Sequence, residues 1–319
     1  MTQASRDRRL DFHRPKVAIL ANPWAGGRRA RKLVNRLVAA LYKRRFDPIL
    51  CSTREALSAL AQDITRQQPQ PLTEPGGTPP RPAPDLHCVI AAGGDGTLAE
   101  VLNRAPGVPV ALLPLGHENL VARHFGITTD IEELTDTIAL GRVHRLDLGR
   151  AGERTFSLMA GAGFDADVVH RLHRRRRGPV THSSYALPIA RALRNYRFPP
   201  ITIEIDDTGE RLTGAMVFLF NLPDYALGLP IAPMANSDDG LLDLCVFRGR
   251  GVHHLARHFA AVLGRRQDRL PDFQRRCVRR VRLSADAPVP LQTDGDPAGH
   301  LPVTIEILPR AFPLLLAPT

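Results

Sequence analysis

Residues 88–98 constrain the fold more than any other stretch of this chain. A short apolar run, too brief for a helix, meets a Gly-Gly-Asp-Gly-Thr loop at residues 93–97, and an amphipathic run follows from Leu98. That order predicts a strand, a tight loop and a helix. Glycine lets the backbone approach a ligand closely, and such a loop exposes amide N–H groups at the positive end of the helix. The stretch therefore predicts a phosphate-binding loop, with Asp95 placed to manage a metal ion or an ordered water.

Other phosphate-binding motifs fit this chain less well. No Walker Gly-x-x-x-x-Gly-Lys-Ser/Thr sequence occurs. Residues 94–99 and 161–166 each read Gly-x-Gly-x-x-Ala, which matches the dinucleotide fingerprint loosely. That fingerprint normally opens the first strand of its fold and requires an acidic residue about twenty positions on, at a strand end. An ordinary strand-to-helix turn and a dinucleotide site stay open as alternatives.

Composition limits the class of partner. The chain has 319 residues, 43% of them apolar, and a formal net charge of +11, so we expect two domains and an anionic partner. Aromatic residues make up only 5%, and the basic residues are not interleaved with stacking platforms, which argues against nucleic acid. Phosphate-rich ligands and acidic membrane surfaces remain as anionic partners.

The cysteines and the N-terminal sequence indicate the cellular compartment in which we expect the protein. Cys51, Cys88, Cys245 and Cys277 are scattered without a Cys-x-x-Cys pair, so a zinc site on them is not expected. The N-terminus has no apolar signal region, and no window approaches eighteen apolar residues. We therefore expect a cytoplasmic, reduced protein.

The order of predicted elements indicates an α/β protein of two domains. Residues 1–13 form a polar tail that we expect to be disordered. Residues 14–146 alternate strands and helices, which predicts a parallel-sheet nucleotide-binding domain, interrupted by a Pro/Gly-rich surface loop at 68–86. Residues 147–302 contain short strand runs divided by turns, which predicts a mainly antiparallel β-sandwich domain for the substrate. Residues 303–319 are expected to return to the N-terminal domain.

A set of short motifs runs through the chain in one order. The motifs are Asn22-Pro-x-x-Gly26, Thr53, the loop at 93–97 continued by Leu98-x-Glu100-x-x-Asn103, Pro114-Leu-Gly116-x-x-Asn119, Asp147-Leu-Gly149, Gly161-x-Gly163-Phe-Asp165, Asn221, Ala232-Pro-x-Ala235, Asp238-Asp-Gly-Leu-Leu-Asp243 and Gln292-x-Asp294-Gly-Asp296. With this set, residues 15–315 resemble the diacylglycerol kinase and sphingosine kinase catalytic family, in its bacterial soluble lipid kinase branch. NAD kinases and phosphofructokinases share the Gly-Gly-Asp-Gly loop, so that loop alone does not choose among them.

The resemblance implies a kinase with ATP in the cleft between its halves and Mg²⁺ as cofactor. It implies Asp294 as the general base and Asp95 as a second catalytic residue. The implied nucleotide-binding positions are Asn22, Thr53, Gly93, Gly94, Asp95, Gly96, Thr97, Leu98, Ala99, His117 and Asn119. The implied metal ligands are Asp95, Asp147 and Asp296 for the catalytic Mg²⁺, and Asn236, Asp239 and Leu241 for a structural Mg²⁺. Phosphoryl transfer needs mainly positioning and charge neutralisation, which suits oxygen ligands and Mg²⁺.

Four positions depart from the family pattern. His117 stands where the family has Thr, Leu120 where it has Asp, Ala99 where many members have Asn, and Asp296 where it has Glu. The shorter carboxylate of Asp296 can displace a metal network by about an ångström. None of these changes removes the expected base or the loop.

Three functions follow for comparison. The favoured one is an ATP-dependent lipid kinase acting on a hydroxyl of diacylglycerol or a related lipid. An NAD-kinase-like enzyme and a catalytically weakened nucleotide- or lipid-binding member of the family are the alternatives. A lipid substrate implies peripheral, transient association with an anionic membrane, for which the basic run at 170–177 is a candidate, although charge runs are usually solvated. A homodimer stays open.

One further cluster has a plainer interpretation. His253, His254 and His258 fall on one predicted helix without carboxylate or cysteine partners at ligand spacing. We expect them to be surface histidines.

Overall fold

A computed structural model describes residues 14–21, 27–51, 53–66, 86–175, 186–223, 225 and 228–317 of the chain. The predicted tail at 1–13, the predicted nucleotide contact Asn22, almost all of the Pro/Gly-rich loop and the end of the basic run lie outside the described residues.

The first half of the chain alternates strands and helices. Its elements are β1 (Lys16–Ala21), α1 (Gly27–Lys43), β2 (Asp47–Cys51), α2 (Arg54–Arg66), β3 (Leu86–Gly93), α3 (Asp95–Arg104), β4 (Val110–Pro114), α4 (Leu120–His124) and α5 (Ile131–Leu140). Helix α1 buries one face, Ala30, Val34, Leu37, Ala40 and Leu41, because apolar residues recur at helical spacing. Strand β3 is buried from Cys88 to Gly93, as expected for a parallel strand covered on both faces.

The second half is rich in strands. Its elements are β5 (Arg142–Ala151), β6 (Arg154–Phe156), β7 (Met159–Gly163), α6 (Phe164–Arg175), α7 (Ala186–Asn195), β8 (Ile201–Ile205), β9 (Arg211–Gly214), β10 (Met216–Phe220), β11 (Leu242–Phe247), α8 (Val252–Leu263), a 3-10 turn (Gln267–Arg269), β12 (Phe273–Val278), β13 (Arg280–Ser284), β14 (Pro290–Thr293), β15 (Asp296–His300) and β16 (Val303–Leu316).

Two sheets organise these strands. Within the described residues, ten strands form one sheet, and eight of them follow the path β2-β1-β3-β4-β16-β13-β8-β9. The other two are β5, which pairs with β16, and β6, which pairs with β5. The neighbours β2, β1, β3 and β4 pair in parallel. Six more strands form an antiparallel sheet in the order β12-β11-β10-β7-β14-β15. The predicted class, a parallel N-terminal sheet followed by an antiparallel sandwich-like half, is confirmed.

Strand β16 connects the two halves of the molecule. Its first part pairs antiparallel with β13, and most of its length pairs antiparallel with β5. Near its end, Leu314 pairs in parallel with Val110 of β4. The larger sheet therefore continues from the first half into the second without a break at β4.

Among the short strand runs predicted for the second half, those at 155–159 and 278–283 are each divided in the structure. Residues 278–283 are not one strand, because β12 ends at Val278 in the six-stranded sheet and β13 begins at Arg280 in the ten-stranded sheet. The run at 155–159 bends at residues 157–158, between β6 and β7. Alternating hydrophobicity cannot show where a strand changes sheet or turns its amides toward a distant side chain.

Candidate active site

The Gly-Gly-Asp-Gly loop joins β3 to α3, as predicted. Gly94 caps α3 with an extended backbone and no side-chain hydrogen bond. Its backbone lies against the loop that follows β4, since a Cβ added at Gly94 would come within 3.1 Å of the Gly116 Cα. A Cβ added at Gly116 would lie only 2.7 Å from the Asn119 Oδ1. Glycine at both positions therefore lets the two loops meet at the carboxyl ends of neighbouring strands, where ligands bind in open α/β sheets.

Asn119 braces this contact. Its side chain accepts a hydrogen bond from the Gly116 amide and donates one to the Gly116 carbonyl, both at 2.9 Å. Asn119 has a left-handed backbone, with φ 49°, which asparagine tolerates better than most residues. His117 lies exposed within the same turn. The predicted nucleotide contacts of Asn119 and His117 stay predictions, and the structure gives Asn119 a second role in shaping the loop.

Asp95 links α3 to α4. Its Oδ2 accepts the Leu120 amide at 3.0 Å and its Oδ1 accepts the Val121 amide at 3.2 Å. Burial raises the pKa of Asp95, while these amide hydrogen bonds act to lower it. Leu120, where the family has Asp, contributes its backbone amide to this contact and places no second carboxylate beside Asp95. Asp95 therefore lies where α3 and α4 begin, and the dipoles of both helices favour a negative charge at this position.

Asp294 has the most complete set of hydrogen bonds among the predicted site residues. Its Oδ2 accepts the Ser157 amide at 2.8 Å and the Ser157 hydroxyl at 3.1 Å. Its Oδ1 accepts the amides of Leu158 and Met159 at 2.9 and 3.0 Å. Burial nevertheless raises the pKa of Asp294 to about 6, against the lowering effect of those donors. A carboxylate with this pKa is a stronger base than an ordinary aspartate and is still ionised at neutral pH.

Asp296 lies two residues on, at the start of β15. Its Oδ2 accepts from the Arg154 guanidinium at 3.1 Å, and its Oδ1 lies 3.1 Å from the His173 Nε2. The same Oδ2 is 4.0 Å from the position of a Cβ added at Gly96. The Asp294–Asp296 turn from the second half therefore faces the N-terminal end of α3 from the first half.

A row of buried polar groups supports that turn. The Gln292 Oε1 accepts the Gly295 amide at 2.9 Å, and the Gln292 Nε2 donates to Asp165 at 2.9 Å. Asp165 also accepts the Tyr225 hydroxyl, and burial raises its pKa. Sequence reasoning assigned no role to Asp165, Gln292 or Tyr225. The quoted Gly-x-Gly-Phe-Asp and Gln-x-Asp-Gly-Asp motifs were the signal that could have found the first two.

Asn103 joins the two halves beside the loop. Its side chain donates to the Thr155 carbonyl at 3.0 Å and accepts the Thr155 amide at 2.9 Å. Thr155 lies next to the bend whose amides hold Asp294. Asn103 therefore fixes α3, and the Gly-rich loop before it, relative to the segment whose amides bond Asp294.

Asp147 is placed by other contacts. It is 1% exposed, and its carboxylate accepts the amides of Gly240 and Arg310, each at 2.7 Å. It therefore holds the exposed turn that contains Asn236, Asp239 and Leu241, where the Asp239 side chain also accepts the Leu241 amide at 3.0 Å. The structure brings Asp147 together with the predicted second metal set; its role as a ligand of the first stays a prediction.

The remaining predicted nucleotide positions have local contacts. Thr53 accepts the Ala56 amide at 3.1 Å and so caps the start of α2. Thr97, Leu98 and Ala99 are buried in the first turns of α3, and the Thr97 side chain fills the space that Gly93 leaves open. Asn22 lies outside the described residues. Thr97, Leu98 and Ala99 therefore belong to the structure of the loop, and the contacts of all five positions with a nucleotide stay predictions.

Comparison with known proteins covers both halves. A sequence-family model described as the diacylglycerol kinase catalytic domain matches residues 16–151, and one described as the YegS C-terminal NAD kinase beta sandwich-like domain matches residues 159–316. A diacylglycerol kinase of Mycobacterium tuberculosis is 28% identical over 309 residues, with 94% of each chain covered. A diacylglycerol kinase of Staphylococcus saprophyticus is 25% identical over 295 residues, with 91% of each chain covered.

The fold also matches solved structures. One chain from Bacillus anthracis str. Sterne superposes with a TM-score of 0.72 at 20% identity, covering 98% of both chains. Another crystal structure from that organism, described as a diacylglycerol kinase, has a TM-score of 0.65 at 18% identity and covers 95% of this chain and 97% of that one. At such low identity these structures show a shared fold.

Proposed function

We propose that the chain, whose residues 16–151 match the diacylglycerol kinase catalytic domain, is an ATP-dependent lipid kinase that transfers the γ-phosphate to a hydroxyl of diacylglycerol or a related lipid. The observation that carries the proposal is the placement of Asp294. A carboxylate with a pKa raised to about 6 stands in a turn that faces the phosphate-binding loop, with its partner Asp296 next to Gly96. A base and a phosphate cradle on opposite sides of one cleft are what transfer to an alcohol requires.

Asp294 would accept the proton of the lipid hydroxyl. A carboxylate offers about four lone-pair positions, and Asp294 already accepts four hydrogen bonds. The Ser157 hydroxyl is the one donor among them that can rotate away without moving the backbone. We infer that Ser157 turns aside when the substrate hydroxyl arrives, so that Asp294 Oδ2 can take its proton. The three amides stay in place and hold the carboxylate toward the acceptor.

The Gly-rich loop would hold the nucleotide phosphates. The amides at the start of α3 carry the positive end of the helix dipole, and glycine at 94 and 96 leaves them accessible to a large anion. The Asp95 carboxylate accepts the first two amides of α4 and so fixes α4 relative to α3. The positions of the two helix ends are therefore set before a ligand binds, which reduces the entropy lost on binding.

The residues present fit a magnesium ion at this cleft. The Asp296 Oδ2 lies beside Gly96, Asp95 directly precedes that glycine in the chain, and carboxylate oxygens are hard ligands that suit Mg²⁺. Asp95 and Asp296 would hold the ion, directly or through water, and it would neutralise charge on the phosphates being transferred. Arg154 and His173 would hold Asp296 in the orientation that this requires.

The membrane partner of a lipid kinase needs a docking surface, and α8 offers one. Val252, Phe259 and Leu263 recur at helical spacing on one face and are 46%, 50% and 59% exposed. Arg265 and Arg266 follow the helix and would meet anionic headgroups. Within the described residues no helix combines the length and apolarity needed to cross a bilayer.

The basic run at 170–177 supports docking less than its sequence indicated. His170 bonds the Leu291 carbonyl at 2.8 Å, Arg171 pairs with Asp167 at 2.5 Å, and His173 lies against Asp296. Arg174 is the exposed member for which a side-chain environment is described. We therefore favour α8 as the docking element.

A transfer assay tests the proposed function. The full chain would be incubated with γ-labelled ATP, Mg²⁺ and mixed micelles that contain one lipid of a panel: diacylglycerol, monoacylglycerol, phosphatidylglycerol or a sphingoid base. Label transferred to a lipid by the wild type and not by Asp294→Asn supports the proposal. Label transferred to NAD supports the NAD-kinase alternative. ATP binding without transfer to any acceptor would identify a weakened binding protein.

A further inference from the structure

Helix α8 brings a second cluster of ligand-type side chains together, away from the Gly-rich loop. His254 and His258 lie one turn apart, and Asp272, just before β12, lies against both. The His258 Nε2 is 2.8 Å from the Asp272 Oδ2, and the His254 Nδ1 is 3.3 Å from the same oxygen. The expectation of surface histidines is wrong for His258, which is 2% exposed. The carboxylate partner was not visible in the sequence because it comes from the next element.

The Arg257 side chain already places a positive charge at this cluster. Its guanidinium contacts the Asp272 Oδ2 and lies 3.2 Å from the His254 Nδ1. One cation therefore lies against a ring nitrogen and a carboxylate oxygen at once, and both are atom types that ligate metal ions.

Two buried polar atoms of the cluster have no hydrogen-bond partner among the described residues. They are the second carboxylate oxygen of Asp272, its Oδ1, and the Nδ1 of His258. Buried polar atoms without partners are uncommon and call for an explanation such as an unseen water or ion. With its Oδ1 unpaired, the Asp272 carboxylate could bind an ion through Oδ1 and Oδ2 together.

Gly249 lets the backbone pass close to these atoms. A Cβ added there would overlap the Asp272 Oδ2 and lie 2.5 Å from the His254 Nδ1, so a side chain at this position would displace both atoms. Two ligands on a tetrahedral zinc ion stand roughly 3.3 Å apart, given zinc–ligand distances of about 2.0 Å. The observed 3.3 Å between His254 and Asp272 matches this, and the 2.8 Å contact of His258 needs to open by about half an ångström.

We propose that His254, His258 and Asp272 form a binding site for a divalent first-row transition ion of the zinc type, with the Arg257 guanidinium in its place when no metal is bound. Two imidazoles and one carboxylate suit Zn²⁺ and its neighbours, whereas Mg²⁺ prefers oxygen ligands alone. The site is therefore chemically distinct from the proposed phosphate-side magnesium site. Bound metal would join α8 to the segment that leads into β12.

Cobalt titration tests this site directly. The full chain, freed of metal with a chelator, would be titrated with Co²⁺ in the absence of nucleotide and Mg²⁺, while the visible d–d absorption is recorded. Zn²⁺ would then be added to displace the cobalt. We expect one equivalent of Co²⁺ to bind with a tetrahedral or five-coordinate spectrum and to be displaced by one equivalent of Zn²⁺. Absence of a saturable spectrum would overturn the proposal.

Matched variants separate a metal site from an ordinary ion-pair cluster. His254→Gln should weaken Co²⁺ binding by roughly tenfold or more, because a ligand is lost, whereas the exposed neighbour His253→Gln should change it less than about twofold. Gly249→Ala should also weaken binding, because its methyl group would displace the His254 and Asp272 ligand atoms. Arg257→Ala should strengthen binding, because the competing cation is gone. Equal affinity of wild type and His254→Gln, or weaker binding by Arg257→Ala, would show that the cluster is only an ion pair.

Discussion

Asp294 and Met159 exchange hydrogen bonds: the Asp294 amide donates to the Met159 carbonyl at 3.0 Å, and the Met159 amide donates to the Asp294 Oδ1 at 3.0 Å. The first bond sets the backbone of the turn and the second sets its side chain. The expected base is thus oriented by the start of β7, so its position depends on how the six-stranded sheet pairs and not on the turn alone.

Asp294→Asn should lower kcat by roughly 10²–10⁴-fold, the usual range for a positioned base. ATP affinity should hardly change, because Asp294 faces the acceptor. The measurement is steady-state transfer to lipid alongside equilibrium binding of ATP. A variant that keeps its kcat and loses ATP binding would move Asp294 into the nucleotide or metal site.

The pH dependence of transfer should report the pKa of Asp294. Only the ionised carboxylate can accept the substrate proton, so kcat/KM should rise with pH and level off above about 6. The Ser157 hydroxyl acts to lower this pKa. Ser157→Ala should therefore move the acid limb of the profile to higher pH. An acid limb at the same pH in both proteins would contradict the assignment.

Asp95→Asn should abolish phosphoryl transfer and also weaken the fold slightly. The loss of stability is expected because Asp95 accepts two α4 amides, and such a contact contributes about 1 kcal/mol in typical helix caps. Thermal unfolding and transfer would be measured on the same preparations.

Asp130→Asn is the matched control. Asp130 accepts the Glu132 and Glu133 amides at 2.8 and 3.1 Å and caps α5 on the surface. Asp130→Asn should keep transfer and most of its stability, because one side-chain oxygen accepts both amides and asparagine retains it, whereas Asp95→Asn should lose transfer. Normal turnover by Asp95→Asn would remove Asp95 from the catalytic site.

Phe259→Ser combined with Leu263→Ser should weaken binding to vesicles of anionic phospholipid by at least roughly tenfold, because burying each side chain contributes about 1.5–3 kcal/mol. Sedimentation at low salt measures the effect. Leu140→Ser is the control, since Leu140 is 69% exposed at the end of a different helix. If both proteins sediment alike, α8 is not the docking element.

The position of the Gly-Gly-Asp-Gly loop could be predicted from its own residues because the determinants of the strand, loop and helix are local. Gly93 ends the buried strand β3, Gly94 joins it to α3, and Gly96 lies in the first turn of α3. The fold class followed equally from local alternation of strands and helices. The turn at 292–296 was also visible as a pair of acids around a glycine.

What surrounds those acids could not be predicted. The donors of Asp294 lie about 135 residues earlier, in a run that was expected to be a plain strand. The Asp147 carboxylate accepts the amides of Gly240 and Arg310, which lie 93 and 163 residues further along the chain. Contacts across such separations depend on the register of strand pairing, which a single sequence does not specify. The pairing of His258 with Asp272 spans only 14 residues, and it was missed because Asp272 comes from the next element.

The long last strand has a consequence for how the molecule is made. Because Leu314 of β16 pairs with Val110 of β4, the parallel sheet of the first half cannot complete its pairing until the last part of the chain has left the ribosome. During most of synthesis β4 would have an exposed edge, and such an edge can pair with other chains. Contacts at this sequence separation also slow folding. The yield of active protein should therefore depend more on chaperones and expression temperature than that of an α/β domain whose sheet closes early.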